Sequence, residues 1–179
     1  MNHKRFALAL VLAFALALGM VGYAFADATV VVSGGSLSVT GQSISFTATL
    51  TGADQTVTDN DATNWAAADP TGTGSGWHVN ISATDLTDGG APAKTIAVSN
   101  FKVKLDAGNI ATVGGNTAPT TQIAAYTPLS GVAQSLLSAG ATAGMGSYTF
   151  VPDFSLDLAA ETYATTYNST VTVAIVAGP

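Results

Sequence analysis

The chain has 179 residues, with 5 lysines or arginines against 11 aspartates or glutamates, so its net charge at pH 7 is −6. Such an acidic surface repels phosphate groups, which argues against nucleic acid or anionic lipid as a partner. The sequence contains no cysteine, so core packing rather than disulfides must hold the fold together.

The first 26 residues are predicted to be a secretory signal peptide. Lys4 and Arg5 precede an apolar run at 6–21, and Ala-Phe-Ala at 24–26 fits a cleavage site. An uncleaved membrane anchor is the alternative, given the length of the run. Cleavage would leave residues 27–179 with three lysines and eleven acidic residues, a net charge of −8. An exported chain without cysteine favours a bacterial protein that lies outside the cell, at the cell wall or cell surface.

Alternation of apolar and polar residues predicts β-strands through most of the remaining chain, which is rich in Thr, Ser, Gly, Ala and Val. In chain order the predicted strands cover 37–50, 76–83, 94–105, 147–151, 154–158 and 167–176. Turn-forming clusters are predicted at 54–64, 87–92, 114–119 and 140–146. Short, regular spacing of this kind is typical of a sandwich. We therefore expect an all-β fold, an antiparallel β-sandwich, in a single domain over 27–179.

Three details of this pattern lead to more specific expectations. The apolar positions change parity at Gly41, which predicts a turn or bulge within 37–50. The segment 130–140 is compatible with a short helix or with a strand. The last strand, 167–176, has an apolar second half, which predicts burial on both faces and a central position in its sheet.

The sequence offers little for catalysis. His78 is the only histidine after residue 26, and it is predicted to point to solvent, opposite to Trp77 and Val79. A catalytic triad would need this histidine together with an orienting acid, and none is evident. The glycine-rich segment 72–76 lacks the lysine of a phosphate-binding loop. The prediction is a protein that is not an enzyme and that needs no cofactor.

One acidic stretch of the sequence is compatible with a calcium site. Four aspartates and two asparagines fall between residues 54 and 69, and oxygen ligands of this kind suit Ca²⁺. Aspartate and asparagine also cap turns by bonding to their own backbone. No spacing in the stretch matches a known calcium loop, and our prediction includes no metal.

The two tryptophans differ in their surroundings. Trp77 begins a predicted strand with apolar alternation, so we expect a packing anchor whose indole is accessible at one end. Trp65 follows polar loop residues, so we expect an exposed ring that could stack on a sugar. The glycines before Trp77 give the backbone the freedom to turn tightly there.

Residues 71–86, TGTGSGWHVNISATDL, resemble the proximal Trp-x-Leu motif of WxL-domain proteins, a family of surface proteins secreted by Gram-positive bacteria. The segment 138–179 resembles the C-terminal half of that domain. Val79 stands where the proximal motif has leucine. The distal motif would begin at Val173, so its tryptophan is absent.

The resemblance implies a β-sandwich that attaches noncovalently to the cell wall, with peptidoglycan as the usual partner and without catalysis. Other surface proteins are further candidate partners. The expected binding residues are Trp77, Val79, Trp65, Gly74, Gly76 and Tyr167.

A structural subunit is the alternative function. The segment 27–32 is a short apolar strand candidate that could complete the sheet of a neighbouring copy, which would give a homo-oligomer, a filament or a surface layer. The same segment could instead pair within its own domain. A hydrolase that uses aspartates is the least favoured reading.

Overall fold

The computed structural model describes residues 29–59 and 63–178. The predicted signal peptide and its cleavage site lie outside the described residues, as does Asp61. Residues 33–179 form one compact unit, and its described part is built from β-strands, which confirms the expected all-β sandwich. Within the described ranges, no helix has the length and hydropathy of a membrane span.

Fourteen strands and two short 3-10 turns, at Val98–Asn100 and Ala107–Asn109, make up the described structure. The strands, in chain order, are β1 Ser38–Thr40, β2 Gln55–Thr58, β3 Trp65–Asp69, β4 Trp77–Ala83, β5 Leu86–Thr87, β6 Thr95–Ile96, β7 Phe101–Lys104, β8 Ile110–Gly115, β9 Thr120–Thr121, β10 Thr127–Pro128, β11 Gln134–Ala139, β12 Gly146–Phe150, β13 Asp153–Leu158 and β14 Val171–Ala177.

These strands form three four-stranded sheets and a two-stranded ribbon, β5–β6. The first sheet has the order β1-β3-β12-β8, the second β10-β7-β13-β2 and the third β14-β4-β11-β9, and the registers are antiparallel. Only Val151 and Pro152 separate β12 from β13, so the chain passes from the first sheet directly into the second. Proline cannot donate a ladder hydrogen bond, which explains why the strand breaks there.

Aromatic side chains fill the core between these layers. The rings of Trp77 in the third sheet and Tyr148 in the first lie 6.1 Å apart. The ring of Phe154 in the second sheet lies 5.7 Å from both Trp65 and Phe101. Strand β4 alternates buried and half-buried residues along its seven positions, as a sandwich strand should.

Several local predictions are confirmed and others are wrong. The segment 130–140 contains strand β11 and not a helix. The predicted strand 37–50 is reduced to β1, and no strand is formed between residues 41 and 54. The predicted turn 54–64 contains β2, because its residues Thr56 and Val57 pair with β13 far along the chain.

The central placement of the last strand is wrong. Among the described strands, β14 pairs with β4 alone and forms an edge of the third sheet. Its residues alternate between half-buried and exposed, and Val176 is 44% exposed. Valine and isoleucine favour strands through their branched side chains, and this preference does not distinguish an edge from a centre.

Candidate functional site

Trp77 is the first residue of β4, and its side chain is completely buried. The indole Nε1 donates a 2.9 Å hydrogen bond to the carbonyl oxygen of Gly144. The prediction that Trp77 is a packing anchor is confirmed. The prediction that one end of its indole is accessible to solvent is wrong. The loop that carries Gly144 covers the indole, because Gly144 has a φ of +73° and no side chain to hold the loop away.

Backbone and amide hydrogen bonds join three loops around this indole. The Thr142 amide donates to the Gly74 carbonyl at 2.8 Å, which links the glycine-rich loop to the loop before β12. Asn116 connects the third loop: its Nδ2 donates to the Thr142 carbonyl, and its Oδ1 accepts from the Met145 amide, both at 2.9 Å. We call this surface the Trp77 platform, and it comprises residues 71–76, 114–117 and 140–146.

A buried carboxylate orders the glycine-rich loop of the platform. Asp69, at the end of β3, is only 2% exposed and accepts hydrogen bonds from the amide and hydroxyl of Thr71, the latter at 2.6 Å. Hydrogen bonds of 3.0–3.1 Å between hydroxyl groups then connect Thr71 to Thr73 and Thr73 to Ser75. Burial raises the pKa of the Tyr148 hydroxyl, and the charge of Asp69 raises it further.

The platform presents hydroxyl, amide and backbone groups to solvent and carries no charged residue. Thr73, Ser75, Asn116 and Thr142 are exposed. Thr142 has a φ of +63°, a conformation that β-branched residues rarely adopt. Backbone strain of this kind persists where the surroundings enforce it, and it concentrates at functional sites.

Three of the six predicted binding residues, Trp77, Gly74 and Gly76, lie at or beside the platform. Gly74 is half-buried in the platform, and Gly76 is buried at the entry to β4 with a φ of +75°. A Cβ on Gly76 would lie 2.8 Å from the Gly140 carbonyl, so only glycine fits there. Val79 is completely buried and belongs to the core, not to a contact surface.

The other two predicted residues lie elsewhere. Trp65 is 2% exposed and packs against Phe150 and Phe154, so the expectation of an exposed ring is wrong. It begins strand β3 rather than ending a loop, and the alternating burial of that strand turns its ring inward. Tyr167 is half-buried, and its hydroxyl donates to the Tyr163 carbonyl at 3.1 Å.

Tyr167 lines a groove of about 740 Å³ that the sequence did not indicate. Segment 44–50 forms one side of this groove, and segment 162–167 forms another. Its floor is apolar, with Val57, Phe101, Leu156 and Leu158 from the second sheet. No charged residue lines it in the described part of the chain.

Tyr163 is the most exposed aromatic residue of the groove, at 62%. The Lys94 ammonium lies 4.3 Å from the centre of its ring, a geometry that favours a cation–π contact. Residues 94 and 163 are far apart in sequence, and no local pattern could have paired them.

His78 is half-buried on β4, and its ring Nδ1 lies 2.9 Å from the Gly178 carbonyl oxygen. The alternation of β4 confirms that it points away from Trp77 and Val79. The bond to Gly178 ties the histidine to the end of β14.

The described aspartates of the acidic stretch 54–69 accept hydrogen bonds from different parts of the chain. Asp54 accepts from the Ala160 amide at 2.9 Å, and Asp59 accepts from the Ser45 amide at 3.1 Å. Asp69 bonds to Thr71, as described above. Among residues 29–59 and 63–178, no three His, Cys, Asp or Glu side chains are grouped to hold a metal ion.

No protein-family model matches the chain, and neither a curated protein nor a solved structure matches it. The likeness to WxL-domain proteins therefore depends on the residues at 71–86 and 138–179 alone.

Proposed function

We propose that this protein is a secreted cell-surface protein that attaches noncovalently to the cell wall through the Trp77 platform. The observation that carries the proposal is the set of hydrogen bonds that joins three polar loops over the buried Trp77 indole. A surface fixed before binding loses little conformational freedom when a ligand arrives.

The chemistry of the platform suits a neutral glycan such as the sugar chain of peptidoglycan. Its exposed groups are hydroxyls, amides and backbone atoms, which can donate to and accept from sugar hydroxyls. The platform carries no charge, so its binding should change little with salt. The resemblance of residues 71–86 to the WxL motif supports the same partner.

Sedimentation with purified cell walls tests this function. We expect the exported protein to sediment with the walls at both low and high ionic strength. Absence of the protein from the pellet at every ionic strength would remove the proposal.

A pair of matched variants locates the site. The hydroxyls of Thr73 and Ser75 bond only within the glycine-rich loop in the contacts described above, so T73A/S75A leaves the ties between the loops in place. Two lost hydrogen bonds should weaken wall binding by roughly fivefold or more. The control is T165A/T166A, which removes two hydroxyls from the groove. Loss in the control and not in T73A/S75A would place wall binding in the groove.

Assembly by strand addition is a second candidate function, favoured by one observation. Val30, Val31 and Val32 are 83–86% exposed, and residues 29–32 form no strand. Three exposed valines in sequence are costly in water and suited to a strand in a sheet. Removing residues 27–32 should abolish assembly and leave wall binding intact.

A further inference from the structure

We propose that the groove between segments 44–50 and 162–167 binds a single-chain amphiphile from solution, with its apolar chain on the groove floor and its carboxylate beside Lys94. The groove shares no residue with the Trp77 platform. The proposal therefore goes beyond wall attachment and does not depend on it.

The groove has the size and the lining of a site for a small apolar ligand. Its volume of about 740 Å³ falls within the range of ~300–1,000 Å³ that is usual for such sites. Apolar side chains from five strands line it: Val57, Leu86, Ile96, Phe101, Leu156 and Leu158. Threonine and tyrosine hydroxyls follow segment 162–167 along one side. An apolar floor beside a hydroxyl-rich edge suits a molecule with an apolar chain and a polar head.

Hydrogen bonds hold both sides of the groove in place. On one side, the Ser45 amide donates to the Asp59 carboxylate at 3.1 Å. On the other side, the backbones of Thr87 and Asn168 exchange two hydrogen bonds, each of 2.9 Å. A groove that is formed before binding loses little conformational freedom when a ligand arrives. An alkyl chain forms no hydrogen bonds, so it requires no free backbone group on segment 44–50.

Lys94 supplies a positive charge at the edge of the groove. Its ammonium lies 4.3 Å from the ring centre of Tyr163, which lines the groove. Of the lysines that the structure describes, Lys94 is the one whose ammonium forms no ion pair, since Lys102 and Lys104 pair with aspartates. The Asp88 carboxylate accepts hydrogen bonds from two backbone amides of its own loop. A carboxylate head group is the partner that the Lys94 ammonium lacks.

The net charge of the protein favours a single ligand molecule over a membrane. The chain carries a charge of −6 at pH 7, and an anionic bilayer repels such a protein. A carboxylate in contact with one ammonium is affected less, because salt screens charges that lie more than about 10 Å away. We therefore place the ligand as one molecule taken from solution.

Calorimetric titration with carboxylates of increasing length, from hexanoate to tetradecanoate below their micelle concentrations, tests the apolar chain. The affinity should rise about fourfold with each added methylene, because each one buries further apolar surface. The rise should level off once the groove is full. An affinity that does not change with chain length, or the absence of saturable binding, would overturn the proposal.

The K94Q variant tests the head group. It should weaken the binding of dodecanoate about threefold, as expected for an exposed ion pair, and leave the affinity for dodecanol unchanged. The matched control is K102Q, which removes the same charge from β7, where alternation places Lys102 opposite Phe101. K102Q should bind both probes as the unaltered protein does. Equal losses of dodecanoate affinity in the two variants would remove the role assigned to Lys94.

A bulky side chain in the groove tests the location. Ala48 lines the groove, and Ala111 is exposed on β8 outside it. A48W should weaken the binding of dodecanoate and dodecanol at least tenfold, and A111W should leave both affinities unchanged. Thermal unfolding checks that both variants fold. Full binding by a folded A48W would show that the ligand lies elsewhere.

Three further outcomes would each assign the groove to a different occupant and overturn the proposal. Co-sedimentation with vesicles of phosphatidylcholine and phosphatidylglycerol would place the protein on a membrane. Displacement of dodecanol by N-acetylglucosamine oligomers would assign the groove to a glycan. Binding that appears only after residues 27–32 are removed would show that the chain fills its own groove.

The platform variant T73A/S75A separates this proposal from the proposed function. Because its substitutions lie outside the groove, it should bind dodecanoate as the unaltered protein does. Loss of wall binding with unchanged dodecanoate binding supports two independent sites. Loss of dodecanoate binding in T73A/S75A would contradict the placement of the ligand in the groove.

Discussion

The Trp77 indole nitrogen and the Gly144 carbonyl oxygen, 67 positions apart in the chain, are joined by a buried 2.9 Å hydrogen bond. The bond connects the start of β4 to the loop before β12, and so links the third sheet to the first. We expect the shape of the Trp77 platform to depend on this contact.

Replacing Trp77 with phenylalanine should destabilise the protein by at least ~2 kcal/mol. The change leaves the Gly144 carbonyl buried without its donor and removes ring volume from the core. Urea denaturation measures the loss, and hydrogen exchange should accelerate at amides 140–146. W65F is the matched control, because its ring packs on Phe150 and Phe154 and not on the platform. Equal exchange at 140–146 in both variants would contradict the role given to the indole.

Gly144→Ala should cost about 3 kcal/mol or more. A Cβ at this position would lie 2.8 Å from the Trp77 Nε1, and its φ of +73° is strained for alanine. Gly89 has nearly the same φ, +70°, but open space around it. G89A should therefore cost only about 1–2 kcal/mol. Thermal unfolding measures the stability of both variants. Equal losses of stability in G144A and G89A would refute the steric argument.

Thr142→Gly should raise the stability by about 1 kcal/mol, because glycine adopts a φ of +63° without steric cost. The same change removes an exposed hydroxyl from the platform, so wall binding should fall. T142N is the informative partner, since asparagine tolerates this conformation and keeps a polar group. It should gain stability and retain binding. A more stable T142G with unchanged wall binding would show that Thr142 does not contact the wall.

The pair formed by Lys102 on β7 and Asp157 on β13 predicts a loss of stability in acid. A hydrogen bond from Lys102 lowers the pKa of Asp157 below its ordinary value, and the Thr56 hydroxyl adds to the effect. The folded pKa is the lower one, so the stabilisation is present above the unfolded pKa of ~3.9. It is lost as the pH falls through the folded pKa.

The measurement compares the unaltered protein with D157N in urea at pH 7 and at progressively lower pH. The difference in free energy of unfolding between the unaltered protein and D157N should be largest at pH 7 and should shrink below pH ~4. A difference that stays constant down to pH 2 would mean that Lys102 does not lower the pKa in solution.

Local alternation in the sequence predicted strands β4, β12, β13 and β14, and it is clearest in β4, where buried and half-buried residues alternate. It also predicted that Trp77 anchors the core. Trp65 escaped prediction because the residues before it are polar and its partners, Phe150 and Phe154, are more than eighty positions away. The placement of a ring depends on which distant strands pair, and a local pattern does not contain that information.

The groove was missed for the same reason. Its sides, 44–50 and 162–167, lie more than a hundred residues apart, and only the fold brings them together. Segment 44–50 has the apolar alternation of a strand, but alternation alone does not determine which other segment a strand pairs with. The edge position of β14 likewise depends on pairing and not on its own composition.

The scarcity of lysine has a consequence for resistance to proteolysis. After the predicted leader, the sequence offers a trypsin-like protease only three cleavage points, Lys94, Lys102 and Lys104, and no arginine. The last two lie within β7, between two neighbouring strands, where the backbone is not free to enter a protease cleft. Of the three lysines, only Lys94 lies in a loop. Digestion should therefore stop after one cut, with the two fragments still packed together in the folded protein.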